Sequence, residues 1–146
     1  MIEPKREIEE QLAERAAHDG YGDPTLESLI ELANSGTMSL GVTLWVGGVV
    51  ISGTLVGVSE YFEGVAGFVE GSGEGGAAIA GAYRKLAGTF HYEIGSQPED
   101  VERFPTMIHL KAARVFSAGA AAMPRQGLWW RGRLDRVDGY SIGSLS

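Results

Sequence analysis

The sequence has no cysteine in its 146 residues. That absence excludes thiol nucleophiles, iron–sulfur clusters, cysteine-ligated zinc and a disulfide framework. Histidine is scarce as well. His18, His91 and His109 fall in separate predicted elements with no ligand spacing, whereas a metal ion needs three or four converging ligands. No Gly-x-Ser-x-Gly elbow occurs, so a hydrolase triad has no support. The paired carboxylates Glu9-Glu10 and Glu99-Asp100 read as solvated faces. From these absences we expect no catalytic residues, no metal and no cofactor, and a chain that is not an enzyme. Positive charge is also in deficit: 12 Lys and Arg face 19 Asp and Glu, for a net charge of −7. That sign disfavours indiscriminate nucleic-acid binding. The first residues, Met1-Ile2-Glu3-Pro4-Lys5-Arg6-Glu7, contain no apolar stretch of the signal-peptide kind, and a cytoplasmic address is expected.

The charge is unevenly spread. Residues 1–36 carry three bases and nine acids, residues 37–100 two and seven, and residues 101–146 seven and three. An acidic front and a basic back can pair within one molecule or between copies. Between Glu31 and Glu60 lie 28 residues without a charge, long enough to cross a bilayer. Only half of them are apolar, and the apolar positions alternate, so the run reads as a β-hairpin and no membrane partner is expected.

Glycine is the residue in excess, 22 of 146, about twice the usual share. Gly71, Gly73 and Gly76 match G-x-G-x-x-G, but they follow a helical pattern and not a strand. Glu74 would also set a negative charge against a phosphate, so the segment reads as a flexible linker.

Residues 3–19 have the spacing of a charged helix with a narrow apolar stripe, Ile8, Leu12 and Ala16. Asp23-Pro24 signals a second helix start, and Asn34-Ser35-Gly36 its end. Leu40, Val42, Leu44 and Val46 alternate into a strand. Gly47-Gly48 makes a tight turn, and a return strand runs to about Val58 with a bend or bulge at Gly53. Ser59 is the expected cap of a helix over residues 60–70, and 77–86 form another short helix. Residues 91–104 read as a polar loop, 106–116 as a strand, 117–127 as a loop and 128–137 as a strand. Asp138-Gly139 predicts a hairpin from there into 140–145. The fold expected is α+β: a small five-stranded antiparallel sheet or partly open β-barrel of the Sm or SH3 kind. N-terminal helices precede it, and a helical insertion separates the second and third strands. Residues 1–22 form an acidic helical segment, and residues 23–146 one domain with a Gly-rich insertion at 71–81.

One constellation could make contacts. Alternation puts Leu128, Trp130 and Leu134 on one face of the 128–137 strand and Trp129, Arg131, Arg133 and Asp135 on the other, with His109 and Lys111 beside the second set from the neighbouring strand. Trp129, Arg131, Arg133, His109 and Lys111 are therefore the candidate interaction surface on a solvent-facing sheet. Aromatic and basic residues so placed suit an acidic protein surface, including the acidic segment of a second copy. The same set suits a single-stranded nucleic acid, which the overall negative charge makes the weaker alternative.

Three blocks carry a resemblance: Val50-Ile51-Ser52-Gly53-Thr54 leading to Ser59-Glu60-Tyr61-Phe62; Ile108-His109-Leu110-Lys111; and Trp130-Arg131-Gly132-Arg133 with Val137-Asp138-Gly139. In that order, over residues 36–70 and 105–146, the chain resembles the gas vesicle accessory protein U family. The resemblance implies a small cytoplasmic, non-enzymatic protein that meets gas vesicle proteins and itself, as an oligomer or cluster, and takes part in vesicle formation or clustering.

Overall fold

Alternation and turn chemistry set the framework of the sheet. In the computed structural model, which describes residues 9–10, 23–89 and 106–145, strands β1 (Leu40–Val46) and β2 (Val49–Val56) form the expected hairpin. Gly47 and Gly48 both take positive φ, 56° and 81°, in the two-residue turn. Strands β3 (Met107–Phe116), β4 (Met123–Arg133) and β5 (Gly139–Ile142) complete one antiparallel sheet of order β4-β3-β2-β1-β5. The expected bulge at Gly53 is present as a register shift between Ser52 and Thr54.

Among the elements given in full by the described residues, three helices accompany the sheet: α1 (Pro24–Asn34), α2 (Val58–Val69) and α3 (Gly73–Thr89), the last two inserted between β2 and β3. α1 begins where Asp23-Pro24 predicts. The Asp23 side chain accepts from Thr25 N at 2.8 Å, satisfying one of the free donors at the helix start. Its apolar stripe, Leu26, Ile30 and Ala33, packs on the inner sheet face formed by Val42, Leu44, Ile51, Leu55, Ile108, Leu110 and Ala113. Each large aliphatic side chain so buried contributes about 1.5–3 kcal/mol. This is the main core, and the other face of the sheet carries the candidate surface.

Several expectations need correction. Asp138-Gly139 does not turn a hairpin from β4 into β5. A 3₁₀ turn, Leu134–Arg136, redirects the chain instead, and β5 pairs with β1 at the opposite edge of the sheet. Asp138 fastens that crossing: its N–H donates to Trp45 O at 2.8 Å and its carboxylate accepts from Gly47 N at 2.9 Å. The 117–127 loop is shorter than expected, because β4 already begins at Met123. Ser59 does not cap α2. The N-cap is Gly57, and Asn34, from the end of α1, accepts from Val58 N at 2.9 Å. Ser59 Oγ donates to Ala87 O and so ties α2 to α3. The glycines at 71–76 are no flexible linker. They make the tight turn of a helical hairpin, α3 starts at Gly73, and a Cβ at Gly76 would overlap the backbone of Val69. The 3–19 helix outside Glu9 and Glu10, the 91–104 loop, His18 and His91 lie outside the described residues.

Candidate functional site

The second sheet face does not lie open as the alternation implied. α2 covers the part of it nearest the β3–β4 pairing, and its aromatic turn reaches the predicted surface residues. His109 and Arg131 are cross-strand partners, as expected. His109, though, is only 3% exposed, sealed beneath Tyr61 and Phe62. Tyr61 stacks obliquely on its ring at 4.9 Å between centroids, and Phe62 lies at 6.3 Å.

Arg131 Nε donates to His109 Nε2 at 3.1 Å, which requires the neutral imidazole with its proton on Nδ1. The same guanidinium sits 5.7 Å from the Phe62 ring centroid. Burial, reinforced by the Arg131 charge, lowers the His109 pKa to about 4, so the ring stays neutral at ordinary pH. Burial likewise raises the Tyr61 hydroxyl, with Arg131 opposing.

Trp129 is half-buried against α2 and meets Tyr61 edge-on at 6.3 Å. Gly64 makes that approach possible, since a Cβ there would overlap the indole. Lys111, partly exposed, pairs with Glu60 of α2 at 3.6 Å. Arg133 is exposed and bound to Asp135 at 2.6 Å, and Asp135 belongs to the 3₁₀ turn and not to the strand. The inner-face assignment also changes at the sheet edge. Trp130 packs on the main core and Leu134 is buried from the 3₁₀ turn, but Leu128 is 50% exposed because β4 is an edge strand.

α2 is held over this cluster from outside by α3. Phe62 and Tyr83 pack edge-to-face at 5.2 Å, and Arg84 grips the Glu70 carboxylate through both terminal nitrogens, at 2.9 and 3.2 Å. That bridge is solvent-exposed and adds little to stability. The structure thus adds Tyr61, Phe62, Glu60 and Gly64 to the predicted set. Sequence spacing gave Tyr61 no role. Its signal lay in the Ser59-Glu60-Tyr61-Phe62 block, whose residues meet those of the other two blocks in this one cluster.

Chemically the arrangement is a lock. A neutral imidazole accepts from a guanidinium, both lie against aromatic rings, and one ion pair stands at the rim. Among the described residues no group of three or more His, Asp or Glu side chains is placed to hold a metal ion, and no helix is long and apolar enough to cross a membrane.

The convergence of the three resemblance blocks is matched by the family comparison. A family model described as "Gas vesicle protein GvpU-like" matches residues 23–145, most of the chain. The chain belongs to the GvpU-like family. The match begins at the Asp23 cap of α1 and runs through β5, so the GvpU-like region takes in both helical layers and the whole sheet. Comparison with curated proteins and with solved structures gives no significant match.

Proposed function

We propose that this GvpU-like protein is a non-enzymatic gas vesicle accessory protein of the cytoplasm. In this reading it associates with gas vesicles or their assembly intermediates, and with itself, and so modulates vesicle formation or clustering. The family match over residues 23–145 is the observation that carries this reading. The contact face is the exposed rim of the cluster, Arg131, Arg133 and Lys111, with His109 and Trp129 beneath as its support. Self-association is supported by the charge distribution: nine acids and three bases over residues 1–36 against seven bases and three acids over residues 101–146. Oppositely charged faces of two copies attract over roughly a Debye length, about 10 Å at 0.1 M salt.

Arg133 is the clean probe of this contact, because it is exposed and its only ion pair among the described residues is with Asp135, two residues along. Arg133→Glu should abolish salt-sensitive growth of light scattering at low ionic strength while leaving the melting temperature close to wild type. Scattering identical to wild type would remove the rim from the mechanism. The nucleic-acid alternative needs freely stacking aromatics, and Trp129 lies against Gly64 and Tyr61. Steep, salt-dependent binding of a single-stranded oligonucleotide at about 50 mM salt would revive it.

A further inference from the structure

A second polar feature lies outside the cluster, where three strands are creased together. Gly53 of β2, Ala112 of β3 and Gly127 of β4 interrupt the ladders in adjoining strands. A Cβ at Gly127 would sit 2.6 Å from the Ala112 Cα, and one at Gly53 would sit 2.9 Å from Lys111 O and Ala113 Cα. Ala112 itself takes a φ of +52°, a conformation rare for a residue with a side chain. The crease leaves a recess of about 190 Å³ whose lining includes Ser52, Arg114, Arg125, Gln126, Gly127 and Ser144.

The chemistry of this lining is one-sided. None of its residues is Asp or Glu, although the chain carries 19 of them and a net charge of −7. Arg114, Arg125, Gln126 and Ser144 line it together, and neither arginine can shed its charge. Arg114 is held in place: its Nη2 donates to Leu145 O at 2.9 Å, and its guanidinium lies 5.3 Å from the Phe116 ring centroid. The backbone over it is fixed too, since Leu145 N donates to Ser52 Oγ at 2.7 Å and Thr43 Oγ1 to Gly143 O at 2.8 Å. Arg125, in contrast, has no hydrogen-bond or ion-pair partner among the described residues.

We infer that this recess is a binding site for an oxyanion, gripped by the fixed Arg114 and the free Arg125. Its volume suits a single carboxylate or phosphate group with its water, and falls short of the roughly 300–1,000 Å³ that drug-sized ligands and cofactors occupy. Paired guanidiniums are the fitting donors, because each offers a planar fork to two oxygens at once. The oxyanion has two sources, a side-chain carboxylate on an acidic peptide or a small free anion.

The test uses the full chain, titrated separately with inorganic phosphate, glutarate and a peptide carrying the sequence around Glu9-Glu10, at about 50 mM salt. Saturable shifts of the Gly127 and Ser144 amide resonances are expected. Arg125→Gln should weaken binding roughly tenfold, with an unchanged melting curve because its side chain is exposed and unpaired. Arg136→Gln, which removes another exposed charge outside the recess, should change it less than about twofold. Peptide binding roughly tenfold tighter than glutarate marks a peptide carboxylate as the source, and equal affinities mark a free anion. No saturable shift with any of the three, or equal losses in Arg125→Gln and Arg136→Gln, overturns the site.

Discussion

The buried histidine makes the chain's stability depend on pH in a way that can be worked out in advance. An unfolded chain protonates His109 near pH 6.5, the folded chain only near pH 4, because burial and then Arg131 oppose the charge. Between those values the unfolded state binds more protons than the folded one. Stability therefore falls as pH drops from about 6.5 to 4 and this contribution levels off below that, when both states are protonated. The difference between the two values amounts to roughly 3 kcal/mol at 1.36 kcal/mol per pKa unit. That is a large share of the roughly 5–15 kcal/mol that holds an ordinary domain folded. Urea unfolding at intervals from pH 7.5 to 4 should show it, with His109→Gln as the reference. The glutamine carbonyl can accept from Arg131 Nε but takes up no proton. Taking the difference from that variant isolates the contribution of His109. Parallel pH profiles for the two proteins would refute the argument, and would mean that protonated His109 is accommodated without opening α2.

Three further perturbations probe how α2 is mounted. Gly57→Ala should destabilise the fold by about 1–3 kcal/mol in urea melts, because the new Cβ would stand 2.5 Å from Ala33 O, a backbone atom that cannot swing aside. Asn34→Ala should cost about 1–2 kcal/mol by leaving Val58 N without its acceptor, and Asn34→Asp should recover most of that loss. Gly64→Ala should push the Trp129 indole off α2, read as a red shift in tryptophan emission together with a lower melting temperature.

Local chemistry was legible where a single element decides it. Alternation from Leu40 to Val46, two glycines in a turn and Asp23 before Pro24 each fixed an element, because turn and cap geometry depend on a few neighbouring residues. Asp138-Gly139 misled because the same residues serve two geometries. The choice was made by the partner, since Asp138 binds Trp45 O and Gly47 N, nearly a hundred positions away. The candidate cluster failed in a similar way. Alternation correctly set His109 beside Arg131 and on the face of Lys111, but the period of a strand says nothing about what packs over it. An aromatic helix did, so a solvent-facing patch became a buried lock with a charged rim. Thr43 makes the same point on the open half of that face: it alternates outward yet is buried, because residues 143–145 cross it and hydrogen-bond to it and to Ser52.

Flotation tests the association with gas vesicles in a single step. Purified protein is mixed with intact gas vesicles and the vesicles are floated by gentle centrifugation at low and at moderate salt. The protein is expected to rise with the buoyant layer at low salt, to be released in part by moderate salt, and to rise less as Arg133→Glu than as wild type. Protein left wholly in the infranatant at both salt concentrations would contradict a vesicle contact made through this face.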